Sequence, residues 1–133
     1  MKTLFAALMG VFLLVSCTDY DTVPARDYRE RVIGYYDVEE YSETYDEHIY
    51  YDMYVSKAYY IDEIYLEDIY SENTRVRAIF DYDRITIPLQ ITAGFEFEGS
   101  GVYYNGKLEL NYRVRDTYHH TYSDYCSTVA YKF

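Results

Sequence analysis

From Val32 onward, apolar and polar positions alternate in short runs, the period of two that puts one face of a strand on a core and the other on water. A first run covers residues 32–41, with Val32, Gly34, Tyr36 and Val38 on one face. The second, residues 48–57, is the cleanest: Ile49, Tyr51, Met53 and Val55 face one way, and Tyr50, Asp52, Tyr54 and Ser56 the other. Residues 60–66 and 69–70 form the next run, with a break at Glu67-Asp68. Helical spacing also fits Ile61, Ile64, Leu66 and Ile69, but the surrounding tyrosines and β-branched residues favour a strand. Val76, Ala78 and Phe80 alternate with Arg75, Arg77 and Ile79, and residues 85–90 make the return strand. Leu108, Leu110, Tyr112 and Val114 alternate with Glu109, Asn111 and Arg113, and residues 125–132 are the last strand.

Punctuation between the runs is that of turns. Asn105-Gly106 is the strongest signal, because a type I′ hairpin needs positive φ at both positions. Pro88 cannot donate to a ladder, which places it at a strand end, an edge or a bulge. Gly99-Ser100-Gly101 interrupts a strand with almost no side chain. About eight strands with short connections predict an all-β, antiparallel up-and-down meander, closed as a barrel to remove its edges. A two-sheet sandwich is the second choice.

The start of the chain reads differently. Residues 1–16 have a positive Lys2, an apolar run and a lead into a cleavage site, the three parts of an export signal. The apolar run is shorter than the roughly 20 residues of a membrane span. Leu14-Val15-Ser16-Cys17 has the form of a bacterial lipobox, which makes Cys17 the expected lipid attachment site and a membrane the expected partner. Thr18 follows the cysteine in place of the Asp that retains enterobacterial lipoproteins at the inner membrane, so the outer membrane is the expected location, facing periplasm or cell surface. The domains are then a signal peptide (1–16), a lipidated tether (17–27) and one β-barrel domain (28–133).

The formal net charge is −11, and the leader contributes only a lysine, so the rest is more acidic still. That excludes a nucleic-acid surface, which needs basic groups. With Cys17 acylated, Cys126 has no partner for a disulfide and is expected to be a buried, inert thiol. The 21 tyrosines all lie beyond the leader, and there is no tryptophan. Four Tyr-Tyr pairs occur: Tyr35-Tyr36, Tyr50-Tyr51, Tyr59-Tyr60 and Tyr103-Tyr104. On a strand each pair puts one ring inward and one outward, so some phenols are exposed.

From Asp62 onward the order of pieces resembles small cell-envelope lipoproteins of gut Bacteroidota. The matching pieces are Asp62-Glu63-Ile64-Tyr65-Leu66, the alternating strand from Arg75 to Phe80, Ile85-Thr86-Ile87-Pro88-Leu89-Gln90, Gly99-Ser100-Gly101, Asn105-Gly106, and Cys126 to Tyr131. Arg26-Asp27-Tyr28 before a Val-Ile-Gly-Tyr-Tyr strand resembles their first strand. The resemblance implies a lipocalin-like or calycin-like barrel. Its motifs are structural and imply no chemistry, and the tyrosine and acid content departs from the usual Ser/Thr/Gly-rich strands.

Candidate chemistry is sparse. Glu39, Glu40, Glu43, Asp46 and Glu47 collect around residues 42–47 without the ordered oxygen spacing of a calcium loop, and read as a solvated acidic turn. His119 and His120 lie in a polar loop with Asp116 and Asp124; adjacent histidines on an extended chain point apart, and no metal site is expected. Glu39-Glu40 and Glu96/Glu98 are the carboxylate pairs, the latter on the side opposite Phe95 and Phe97 and therefore toward solvent. No nucleophile elbow, phosphate loop or dinucleotide fingerprint occurs. No catalytic residue and no cofactor are expected, and the chain does not read as an enzyme. Exposed tyrosine is the remaining feature: a rigid phenol offers contact area and a hydrogen-bonding tip at low entropic cost. Tyr50, Tyr54 and Tyr103 are the candidate contact residues for a small molecule, a glycan or a protein. The expected function is a non-catalytic binding module on the envelope; the alternative is a structural or accessory subunit of an outer-membrane complex with no ligand of its own.

Overall fold

A computed structural model describes residues 26–119 and 122–133. A single 3₁₀ turn, Tyr28–Arg31, precedes eight strands: β1 Gly34–Ser42, β2 Glu47–Lys57, β3 Glu63–Glu67, β4 Arg75–Asp81, β5 Arg84–Thr92, β6 Phe95–Tyr104, β7 Lys107–Asp116 and β8 Ser123–Lys132. Each strand pairs antiparallel with the next, and β1 pairs with β8, so the meander closes as a barrel. The barrel, and not the sandwich, is the architecture; seven strands fall on the runs read from the sequence, and β6 on the stretch that Gly99-Ser100-Gly101 interrupts. The lipobox and Cys17 lie outside the described residues.

Local sequence explains the corners. Asn105 and Gly106 have φ of +52° and +84°, the left-handed pair that the hairpin between β6 and β7 requires. Pro88 sits in a register shift between Ile87 and Gln90, a bulge that absorbs its missing donor. Gly99 and Gly101 pair with Tyr112 and Leu110, and β7 approaches closely there. A Cβ on Gly99 would run into the Asn111 carbonyl, and one on Gly101 into the Glu109 carbonyl.

The interior is filled. Tyr36, Met53, Ile64, Leu66, Phe80, Phe97, Leu108 and Leu110 are among its fully buried side chains. Each is worth roughly 1.5–3 kcal/mol of transfer free energy on burial. The two ends are stopped differently. At the first end, Arg29 reaches in from the 3₁₀ turn and donates to the carbonyls of Ala58, Tyr60 and Glu63, while Asp27 chelates the other side of its guanidinium. The Tyr28 hydroxyl donates to the Phe80 carbonyl at 3.1 Å beside it. At the second end, Tyr70 plugs the barrel edge-on to Phe95, Phe97 and Tyr112.

Two expectations about strand limits change. Tyr60 and Ile61 are exposed in the β2–β3 connection, so β3 begins only at Glu63. Ile69 and Tyr70 are not strand; they belong to the β3–β4 loop, in which Asp68, Tyr70 and Asn73 all have positive φ. A left-handed backbone at a bulky residue such as Tyr70 carries strain, and its inward ring contacts and hydrogen bonds hold it there.

Candidate functional site

Register places the acids of the first hairpin on opposite sides of the barrel wall. The parity that puts Tyr36 and Val38 inside also puts Glu40 and Ser42 inside, whereas Tyr35, Asp37, Glu39 and Tyr41 face out.

Glu40 is fully buried, at 0 % exposure. Three hydroxyls converge on its Oε2: Tyr51 from β2 at 2.8 Å, Thr128 from β8 at 2.9 Å, and Tyr112 from β7. Its Oε1 has no hydrogen-bond partner. A second carboxylate, Asp124, is buried close by and accepts from Ser42 at 2.6 Å and from Tyr70 at 3.2 Å. Burial, reinforced by neighbouring acidic groups, pushes the phenols of Tyr51 and Tyr112 well above their ordinary range, so both stay protonated as donors. Burial also raises the Cys126 thiol, with Glu40 and Asp124 adding to the effect. The thiol is buried and its nucleophilic thiolate is disfavoured. Glu40, Tyr112, Thr128 and Asp124 in this polar knot are buried, and Tyr51 and Tyr70 are partly exposed at its border. The knot ties β1, β2, β7 and β8 together below the Tyr70 plug.

Outside, β1 and β2 pair their exposed residues in register: Tyr35 with Tyr54, Asp37 with Asp52, Glu39 with Tyr50, and Tyr41 with His48. Tyr50 is 72 % exposed, and its hydroxyl is 3.4 Å from Glu39. Tyr54 is half-buried and its ring lies 4.7 Å from that of Tyr35. Phe133 adds a third ring, 6.0 Å from Tyr35. Asp37 and Asp52 face each other directly, an arrangement that costs stability.

Tyr103 does not join this face. It is 7 % exposed, and its hydroxyl donates to the Arg31 carbonyl at 2.7 Å beneath the 3₁₀ turn. Strand parity is the reason: on β6 it shares the inward phase of Phe97, and the outward ring of the pair is Tyr104. The Tyr35-Tyr36 and Tyr50-Tyr51 pairs split in the same way, whereas Tyr59 and Tyr60 are both exposed in a connection. Among the sequence candidates, the structure thus brings Tyr50 and Tyr54 together on the outer face of β2, with Asp52 between them.

Charge is distributed unevenly around the wall. Glu63, Glu67, Glu96, Glu98 and Glu109 on the later strands each pair with an arginine or lysine. Glu96 is held by both Arg113 and Arg115 and is more enclosed than the open solvent position expected of it. From Val32 to Ser56 there is no lysine or arginine at all. Among the described residues, no lysine or arginine ion-pairs with an acid of that hairpin; only His48 approaches Glu39, at 3.6 Å. At the other histidine loop, His119 Nδ1 lies 2.7 Å from Asp116, and His120 is outside the described residues. Among the described residues, no group of three His, Cys, Asp or Glu side chains could hold a metal ion.

Fold and surface together define a closed, filled eight-stranded β-barrel with one acidic, tyrosine-bearing side. No family model matches this chain, and no curated protein matches it.

Proposed function

We propose that the protein is a non-catalytic binding module, tethered to the bacterial outer membrane through a lipid on Cys17, which engages a protein partner with the outer side of its β1–β2 hairpin. The observation that carries this reading is the absence, among the described residues, of any lysine or arginine paired with Asp37, Glu39 or Asp52, next to the exposed rings of Tyr35 and Tyr50. Unneutralised charge costs stability and rewards a partner of opposite sign in affinity and on-rate. The filled interior counts against capture of a small molecule in the barrel lumen, and the polarity of the face suits a wet interface with aromatic anchors.

Two measurements test the reading. Full-length protein should partition with membranes, and Cys17→Ser should abolish that. Immobilised protein should retain a polypeptide from detergent-solubilised envelopes, and the double variant Tyr50→Ala/Asp52→Asn should lose it. Equal retention by both proteins would place recognition elsewhere.

A further inference from the structure

The second strand is longer than the neighbour that should cover it. β2 runs over Glu47–Lys57, but β3 pairs only with Tyr54, Val55, Ser56 and Lys57. On the β3 side, residues 47–53 have no strand partner, and no loop backbone among the described residues bonds to them. The barrel is closed at the first end and unzipped at the second. The consequence is visible at Ile49, which has the inward phase of β2 and is nevertheless 38 % exposed.

Across the gap stands the strained β3–β4 loop. It is hydrogen-bonded to β2 through a side chain, with the Tyr70 N–H donating to the Tyr51 hydroxyl at 3.2 Å. Between them lies a groove of about 440 Å³. Ile49, Tyr51 and Tyr70 form its apolar part, and Asp52, Asp68 and Glu72 its acidic rim. Asp68 has a local use, accepting the Asn73 N–H at 2.8 Å. No lysine or arginine ion-pairs with any of the three acids among the described residues.

An unpaired strand edge is a template for another strand. Residues 47–53 offer a row of backbone donors and acceptors, with alternate side chains directed to two different surroundings. A second copy of this chain is a poor occupant, because two hairpins without lysine or arginine would bring like charges together. The same charge that guards the edge against self-pairing selects a cationic segment.

We infer that the free edge of β2 is a strand-addition site for an extended peptide segment in which lysine or arginine alternates with apolar residues. This deepens the proposed function, on which it rests. The segment pairs its backbone with residues 47–53. Its apolar side chains cover Ile49 and Tyr51 and meet Tyr70. Its cationic side chains point outward, to Asp52 and the carboxylates beyond it, with the exposed Tyr50 ring as a cation–π partner.

The test uses the lipid-free protein, residues 18 to the end, isotope-labelled for amide spectra, and a capped peptide of about seven residues alternating Lys and Val. Binding should shift the amides of 47–53 and slow hydrogen exchange at alternate positions among them. Methylating the peptide nitrogens of one alternate set should abolish binding, while methylating the other set should leave it intact. Replacing Lys by Glu should abolish it as well. Asp52→Asn should weaken binding, and Asp52→Asn/Glu72→Gln should weaken it by about tenfold or more; amide dispersion checks that both variants are folded. If both methylated peptides bind like the parent, strand addition is overturned while capture by the acidic face stands. If the Glu peptide binds equally, charge selection is overturned. If nothing on β1 or β2 shifts with the Lys peptide, the edge site is overturned, and retention of an envelope polypeptide by the face decides the broader reading separately.

Discussion

Glu40 is the residue on which the barrel interior turns. A buried hydroxyl left without an acceptor costs about 1–3 kcal/mol, and Glu40 serves three of them through one oxygen. Glu40→Ala should therefore lower the free energy of unfolding by about 3 kcal/mol or more, read from urea denaturation. Glu40→Gln keeps a carbonyl acceptor and should cost less. An alanine variant as stable as the parent would show that the three hydroxyls find other partners. The inward position of Glu40 was legible: it continues the phase of Tyr36 and Val38. Adjacency to Glu39 and to the acids of the turn invited a different grouping, by charge and not by phase. Tyr103 illustrates the same lesson in reverse. A tyrosine in a Tyr-Tyr pair is outward only if its phase says so, and Phe97 had set the phase of β6 as inward at odd positions.

At the scale of elements, alternation located most of the strands, because each has one face on a shared core. Strand length was less accessible. The run from Tyr60 looks like strand by composition, but its first residues are spent on the connection that Arg29 fastens. Shortness of β3 is what exposes the edge of β2, and no local pattern on β2 records what its neighbour does. The Gly99-Ser100-Gly101 segment was legible as an interruption; its cause, the close approach of the β7 backbone, needed the pairing partner. Gly101→Ala should destabilise the protein by roughly 1–3 kcal/mol, the ordinary cost of overpacking, as a fall in thermal midpoint without change in the far-ultraviolet spectrum. Ser100→Ala, on the intervening outward position, should be near neutral in the same assay.

For the whole molecule, stability against pH is set from both sides. The Arg29 hydrogen bond holds the Asp27 carboxyl well below the usual range, and Arg115 lowers Glu96. Groups depressed on folding contribute fully above their ordinary values, 3.8 and 4.5, and lose that contribution as pH falls through the folded values. Tyr36, Tyr51, Tyr70 and Tyr112 are raised above 10.0, chiefly by burial. Their contribution is complete below 10.0 and lost above it. The urea midpoint should hold a plateau from about pH 5 to 9 and fall on both flanks. The net charge of −11 opposes the acidic loss, because protonation also relieves repulsion. The alkaline fall should therefore be the steeper, and buried phenols should ionise only with unfolding, as absorbance in the near ultraviolet reports.

Closure by β1 on β8 also has a meaning in time. Glu40 leaves the ribosome early, and two of its three hydroxyl partners, Tyr112 and Thr128, follow 72 and 88 residues later. Until they arrive, its carboxylate keeps its water and β1 keeps a raw edge. Only a chain that has reached β8 can dehydrate that acid, so the knot inside the barrel keeps the first strand waiting for the last.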